Sequence, residues 1–157
     1  MKVEKKNTAA QKLKAKLLIL EARFYEDMCD ELAKGAIAAI ERAGATWERM
    51  AVTGSLELPG AVALAESSKR FDGYVVLGCV LRGETTHYEI VSNESARGVM
   101  DLTLKGLCIG NGILTCENEA QAWARAKTSE GDKGGGAAEA ALAMIRFKRA
   151  MKKKSSR

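Results

Sequence analysis

The sequence predicts an α/β fold, a flavodoxin-like three-layer α/β/α sandwich with a four-stranded parallel sheet. The chain of 157 residues alternates short apolar runs with longer stretches of helical periodicity, a pattern typical of a parallel sheet covered by helices. A hydrophobic fraction of 46% and a single proline favour one compact core. No apolar run approaches the ~18 residues that span a bilayer, and the charged N-terminus lacks the apolar segment of a secretory signal. We therefore expect a soluble cytoplasmic protein without a membrane partner.

The first half of the chain predicts two strands and two helices. The apolar run Leu17–Leu20 predicts a strand covered on both faces, and a loop of sequence EARFYED follows it. Apolar residues at helical spacing predict a helix over 27–44, which ends at Gly44 as helices often do. A second short strand is expected near Met50–Val52, and a helix rich in Ala and Leu over 58–70.

The second half of the chain repeats the alternation. The run Gly73–Leu81 is the strongest strand pattern, and residues 87–105 are again helical. A glycine-interrupted fourth strand is expected over 106–115. The remaining chain predicts a helix over 118–126, a polar glycine-rich loop over 127–136 and a closing helix over 137–150.

Positive charge is concentrated at the two ends of the chain. We divide the sequence into a basic N-terminal tail (1–16), a single domain (17–150) and a basic C-terminal tail (151–157). Residues 1–16 hold six lysines and one glutamate, and residues 146–157 hold seven basic residues and no acid. The net charge of the chain is only +5, so the body between the ends is acidic. We expect no nucleic-acid partner for the fold, although the tails could touch a polyanion instead of being merely solvated.

The four cysteines are scattered without a CxxC pair, and the chain has only one histidine. These residues are a poor ligand supply for zinc, so we expect no metal site. Buried free thiols in a reducing compartment are the expected state.

Unusual local sequences follow each predicted strand, where ligands bind in folds of this class. They are EARFYED, TGSLELPG, LRGETTH and GNGILT. His87, the lone histidine, lies in the third of them and is therefore a candidate site residue.

These segments, together with GCVLRGETTHYEIVSNESARGVMDLTL and GDKGGGAAEAALAMI, resemble the lumazine synthases of riboflavin biosynthesis over residues 17–150. The resemblance implies condensation of 5-amino-6-(D-ribitylamino)uracil with 3,4-dihydroxy-2-butanone 4-phosphate to 6,7-dimethyl-8-ribityllumazine, with release of phosphate and water. It implies small-molecule substrates and no metal or organic cofactor.

The resemblance also implies which residues bind the pyrimidine and its ribityl chain. Phe24 matches the stacking aromatic, although it could instead cap the core. Glu57 matches a carboxylate that binds ribityl hydroxyls, although alone it would be an ordinary helix-start residue. Asn111 lies near the pyrimidine or stabilises a turn, and Thr53 replaces a usual proline. Backbone contacts are expected from Ser55, Leu56, Cys79, Val80 and Leu81.

The phosphorylated ketone needs cations and N–H donors. Glu84, through its backbone, and Thr85 match the family's phosphate loop. Arg125 matches the phosphate-binding arginine, whose planar fork suits two oxygens, and Lys133 matches a lysine near the same site.

His87 matches the family's catalytic histidine. Each stage of the condensation moves a proton near neutral pH, which suits an imidazole with an ordinary pKa of about 6.5. We assign His87 as proton donor and acceptor, with Glu89 as a candidate orienting partner.

Members of the family form homopentamers, and some form capsids of 60 subunits, with active sites between neighbours. By analogy, Asn111, Arg125 and Lys133 come from one chain and the remaining site residues from the next. The alternatives are a non-catalytic or engineered shell protein, or a flavin-binding protein, on the same scaffold. A flavodoxin-like electron carrier is disfavoured, because EARFYED is not a Ser/Thr- and Gly-rich phosphate loop.

Overall fold

The chain forms one parallel sheet with helices on both faces, as the computed structural model of residues 12–155 shows. The strand order is β2-β1-β3-β4, and every neighbouring pair is parallel. The predicted flavodoxin-like α/β class is therefore confirmed. The elements in chain order are β1 (Lys16–Ala22), α1 (Glu26–Arg42), β2 (Thr46–Val52), a 3₁₀ turn (Ser55–Glu57), α2 (Leu58–Ser67), β3 (Gly73–Leu81), α3 (His87–Leu104), β4 (Ile109–Cys116), α4 (Glu119–Ala126) and α5 (Lys133–Ser155).

The two central strands are the ones with continuous apolar sequence. β1 and β3 are buried along almost their whole length, because helices cover both faces of the sheet. β2 lies at an edge and is largely exposed, and its Glu48 pairs with Lys16 and Arg70. The prediction of a short strand near Met50–Val52 was therefore too short, because the solvated edge of a sheet carries polar residues.

The sheet separates two hydrophobic cores. On one face, alternate residues of β1 and β3 pack against α1, α4 and α5; on the other face, the intervening residues pack against α2 and α3. Leu17 and Ile19 contribute to the first core, and Leu18 and Leu20 to the second. This alternation is the period of two that a strand imposes on its side chains.

The glycines predicted as loop instead form the first turn of α5, which begins at Lys133. A Cβ on Gly134 would lie 1.9 Å from the carbonyl oxygen of Leu32 in α1, and a Cβ on Gly110 would lie 1.7 Å from that of Ala137. Close approach of α5 to α1 and β4 therefore requires residues without side chains here. Packing outweighs the low helix propensity of glycine.

Part of each predicted tail lies within the described residues 12–155. Leu13 and Ala15 are buried, and the amide of Leu13 donates to the Ala43 carbonyl at 2.8 Å. The helix α5 continues to Ser155. The described chain thus packs before residue 17, while residues 1–11 and 156–157 lie outside the described residues. The separation of both basic tails from the domain stays a prediction.

All four cysteines are free and buried. Burial raises the pKa of Cys29 to about 11 and that of Cys79 to about 12, so both thiols are protonated at neutral pH. Within residues 12–155, no three His, Cys, Asp or Glu side chains are grouped so that they could hold a metal ion. Nor does any helix in that range have the length and apolar composition needed to cross a bilayer.

The packing of α5 predicts opposite effects for two glycine substitutions in its first turn. Gly134→Ala forces a methyl group into the Leu32 backbone and should lower the free energy of unfolding by about 1–3 kcal/mol. Gly136→Ala is the matched control, because its added Cβ would meet no described atom within 4 Å apart from the backbone of its own helix, and it should raise stability by up to about 1 kcal/mol. Urea unfolding at one protein concentration measures both. Equal stabilities would contradict the packing.

The buried thiols predict slow alkylation of the folded protein. At pH 8, iodoacetamide should modify very little of the folded protein over a time in which free cysteine reacts fully. The thiolate is the nucleophile, and all four thiols are buried. In urea all four should react. Intact mass spectrometry counts the adducts, and rapid labelling of folded Cys79 would show that this thiol is neither buried nor protonated.

Candidate active site

A cavity of about 510 Å³ opens where β1, β2 and β3 end. It collects parts of three segments that are distant in sequence: the β1–α1 turn, the 3₁₀ turn after β2, and the end of β3 with the start of α3. Its lining residues are Ala22, Phe24, Tyr25, Thr53, Gly54, Ser55, Leu56, Glu57, Cys79, Val80, Leu81, His87 and Val91. Eight of the predicted pyrimidine-side and catalytic residues thus meet in one place: Phe24, Ser55, Leu56, Glu57, Cys79, Val80, Leu81 and His87.

Phe24 stands in the turn between β1 and α1. Its ring is 79% exposed, which argues against the alternative that it caps the core. The Phe24 and Tyr25 rings make an edge-to-face contact, with their centroids 5.0 Å apart and their planes at 76°. One broad face of the Phe24 ring is therefore available to stack on a flat ligand.

The segment after β2 forms the second wall. Ser55 is buried, whereas Leu56 and Glu57 are exposed and face the cavity. The amide of Glu57 donates to the Gly54 carbonyl at 3.1 Å, which closes the turn even though Thr53 replaces the usual proline. Among the described residues, the Glu57 carboxylate makes no capping hydrogen bond to α2, so it is available to accept hydrogen bonds from hydroxyl groups.

The end of β3 forms the floor. Pairing of β3 with β1 stops at Leu77, but pairing with β4 continues to Leu81. The edge of β3 that faces β1 is thus open over Cys79–Leu81, which line the cavity. Backbone N–H and C=O groups there suit the donor and acceptor pattern of a uracil edge.

His87 is the first residue of α3 and is exposed on the cavity wall. Its backbone amide donates to the Thr85 hydroxyl at 3.3 Å, which fixes the turn before the helix. Glu84 and Thr85 lie in that turn, exposed and outside the lining of the cavity. The helix start leaves backbone N–H groups near His87 that suit an anion.

Glu89, the candidate orienting partner of His87, has a different partner in the structure. Glu89 forms a salt bridge with Arg82 instead, and this hydrogen bond holds the pKa of the Glu89 carboxyl below its usual range. Arg82 also binds both oxygens of Glu117, at 2.8 and 3.0 Å, and its guanidinium lies 4.3 Å from the centroid of the Tyr88 ring. Arg82 therefore links the two ends of the segment that carries Glu84, Thr85 and His87.

A second cavity, of about 470 Å³, lies at the outer edge of β4 and brings together the predicted Asn111, Arg125 and Lys133. Arg125 donates to the Gln121 carbonyl at 2.9 Å and remains exposed. The Asn111 side chain accepts from the Ile113 amide at 3.0 Å within β4, so this side chain bonds locally although no turn lies there. Of the described residues, none lines both cavities.

Some lining residues were not predicted from the sequence. Val91 lies one helical turn after His87 and therefore faces the same side of α3, a signal that the spacing contained. Tyr25 is adjacent to Phe24 and contacts its ring. Ala22 and Gly54 contribute through their positions at strand ends, which the sequence did not define closely.

Comparison with known proteins agrees with the motifs. Residues 14–149 match the model of the 6,7-dimethyl-8-ribityllumazine synthase family. Proteins named 6,7-dimethyl-8-ribityllumazine synthase from Bartonella tribocorum and Agrobacterium fabrum are 58% and 55% identical to this chain. The alignments cover 87% of this chain in both cases, and 91% and 96% of the respective relatives. A relative of the same name from Novosphingobium aromaticivorans is 59% identical over 83% of this chain and 94% of its own length. With this match over most of its length, the chain belongs to the 6,7-dimethyl-8-ribityllumazine synthase family.

Proposed function

We propose that this chain is an active lumazine synthase, a transferase that condenses 5-amino-6-(D-ribitylamino)uracil with 3,4-dihydroxy-2-butanone 4-phosphate and releases phosphate and water. The observation that carries the proposal is the single cavity lined by Phe24, Glu57, the open end of β3 and His87. An aromatic face, a carboxylate, free backbone groups and one titratable ring are what a ribityl-pyrimidine and an amine–carbonyl condensation require. All four cysteines are free, which suits a reducing compartment such as the cytoplasm.

The pyrimidine is placed by three contacts in this proposal. Phe24 stacks on the ring, the backbone of Cys79–Leu81 binds the uracil edge, and the turn Ser55–Glu57 binds the ribityl hydroxyls. Holding the amine beside the ketone converts a bimolecular step into one within a complex, which is the larger part of the expected rate gain. The amine and the ketone already condense unaided in water, so the enzyme mainly supplies orientation.

His87 moves the protons. The amine attacks the ketone carbonyl, and the resulting carbinolamine must gain a proton on oxygen to lose water. Elimination of phosphate then requires removal of a carbon-bound proton, and ring closure by the second amine releases another water. Exposed at the cavity wall, the His87 imidazole can accept and return these protons in turn.

The phosphate is held by groups from two neighbouring chains in this proposal. The backbone N–H groups of Glu84 and Thr85 and the side chains of Arg125 and Lys133 supply the donors, but Arg125 and Lys133 line the separate cavity at the β4 edge. A complete site therefore needs the β4 edge of one chain to approach the His87 cavity of the next. Such a head-to-tail contact generates a closed ring when the rotation between neighbours closes, as in the homopentamer proposed below.

Exposed apolar residues support assembly. Leu64 and Leu104 are 77% and 80% exposed, and Phe147 is 59% exposed, so an interface that covered them would gain from burial of apolar surface. We propose a homopentamer, either on its own or as the unit of a 60-subunit capsid, since the family resemblance implies both. A purely structural shell protein remains the alternative function, and it has no use for an imidazole facing a binding cavity.

Activity is tested by mixing both substrates with the protein and following lumazine absorbance and phosphate release. His87→Ala should lower kcat by about 10²-fold, near the low end for general acid–base catalysis. His87→Gln keeps a polar side chain of similar size and should be equally slow, because it cannot exchange protons near neutral pH. Lys105→Ala, at the opposite end of α3, is the control and should keep the wild-type rate. An undiminished rate in His87→Gln would remove the proton-transfer role.

The shared site is tested by co-expressing His87→Ala with Arg125→Ala. Each variant alone should be slow, Arg125→Ala through a raised KM for the butanone phosphate. In random mixed assemblies, about a quarter of the sites should combine an intact His87 half with an intact Arg125 half from the next chain. Initial rates should rise to about that fraction of the wild-type rate. Rates no higher than the mean of the two variants would place both residues of a site in the same chain.

A further inference from the structure

A buried carboxylate lies close to the candidate site but outside its lining. Glu21, the penultimate residue of β1, has a side chain that is only 2% exposed. It accepts hydrogen bonds from Arg49 Nη2 at 2.8 Å, from Arg49 Nε, and from Arg23 Nη1 at 3.0 Å. The two arginines belong to β2 and to the turn that follows β1.

Asp30 closes this group into a ring of four charges, which we call the Glu21 cluster (Glu21, Arg23, Asp30 and Arg49). Its Oδ1 lies 2.9 Å from Arg23 Nη1 and 2.8 Å from Arg49 Nη2. These hydrogen bonds, from Arg23 first and then from Arg49, hold the pKa of the Asp30 carboxyl below its usual range. The cluster thus joins β1, the β1–α1 turn, α1 and β2 by charged contacts.

Stability alone does not account for the Glu21 cluster. A carboxylate taken out of water must recover its desolvation cost from its partners, and an apolar side chain of similar volume would often serve the core as well. What the charged contacts add is direction, because each guanidinium fork has a fixed geometry that an apolar contact lacks.

The segments that these charged contacts orient lead to the cavity. Arg23 immediately precedes Phe24, whose exposed ring has Tyr25 as its aromatic contact. The position of the Phe24 ring therefore depends on the backbone of the turn, and Arg23 is the side chain that ties this turn to Glu21 and Asp30. Arg49, on the other arm, lies in the strand that leads into the Thr53–Glu57 wall.

We propose that Arg23 is a positioning residue: bonded to Glu21 and Asp30, it fixes the β1–α1 turn so that the Phe24 ring is presented to the pyrimidine. The proposal rests on the proposed function in taking Phe24 as the stacking residue. Arg23 does not line the cavity, so its effect on binding should pass through the turn that it fixes, and chiefly through Phe24.

A double-mutant cycle on the assembled protein tests this. The probe is binding of 6,7-dimethyl-8-ribityllumazine, measured by its own fluorescence without turnover. Phe24→Ala should weaken binding by roughly 2- to 10-fold, the range expected for loss of an aromatic stack. Arg23→Ala should weaken it in the same direction, yet cause no further loss when Phe24 is already alanine. Arg23→Ala leaves Glu21 and Asp30 paired with Arg49, so the fold should persist.

Two further variants keep the test decisive. Arg42, at the far end of α1, forms another arginine–carboxylate pair, with its Nη2 3.5 Å from Glu139 Oε1. Arg42→Ala removes this pair and should leave binding unchanged. Asp30→Asn keeps the exposed position but removes one charge that holds Arg23, and should weaken binding less than Arg23→Ala does. Asp30→Asn also answers the question if Arg23→Ala fails to fold.

The outcomes separate this proposal from the proposed function. Suppose that the wild-type protein forms lumazine and that Arg23→Ala binds 6,7-dimethyl-8-ribityllumazine as tightly as Arg42→Ala does. That result would overturn the positioning role and leave the proposed activity standing. Equal losses from Arg23→Ala with and without Phe24 would also overturn it, because Arg23 would then act on the ligand independently. Loss of binding only when Phe24 is present, in a protein that forms no lumazine, would uphold the positioning role and reject the activity.

Discussion

The parallel pairing of β1 with β3 is the constraint on which the rest of the molecule depends. From this central pair the chain proceeds in opposite directions, to β2 on one side and to β4 on the other. A crevice therefore opens between the carboxyl ends of β1 and β3, the position where ligands bind in sheets of this kind. The turn after β1 supplies Phe24, and the overhanging end of β3 supplies Cys79–Leu81. Neither segment could reach the cavity if the two strands were not neighbours.

Sequence reasoning succeeded for elements whose burial and period agree. β1 and β3 are apolar because both of their faces are covered, and α3 begins at His87 as the pattern indicated. It failed where tertiary contacts overruled local preference. The polar edge strand β2 was predicted too short, and Lys133–Gly136 was predicted as loop because glycine disfavours helices in isolation. The need for close packing at Gly134 exists only once α1 and α5 are side by side.

In the candidate site, too, local sequence indicated some of the residues, whereas other contacts form only in the folded chain. Residues in loops after strands could be identified as site candidates, because the carboxyl edge of a parallel sheet gathers them. The charged partners could not. Glu21 was predicted in the loop after the first strand, and the sequence did not indicate that it is buried in β1 or that Arg49, 28 residues later on a neighbouring strand, binds it. For the same reason Glu89, close to His87 in sequence, was considered as its partner although Arg82 binds it instead.

The walls of the cavity that His87 lines are held in two different ways. The floor is part of the sheet and is held by ladder hydrogen bonds to β4, so its backbone groups are fixed by the fold itself. The Phe24 ring has no such support, because it projects from a turn into solvent. Ordering that turn at the moment of binding would cost conformational entropy, and a turn fixed beforehand avoids the cost. The desolvated carboxylate of Glu21, which follows the apolar run of β1, binds two arginine side chains, and one of them belongs to the turn. The Glu21 cluster can therefore fix the turn before the ligand binds.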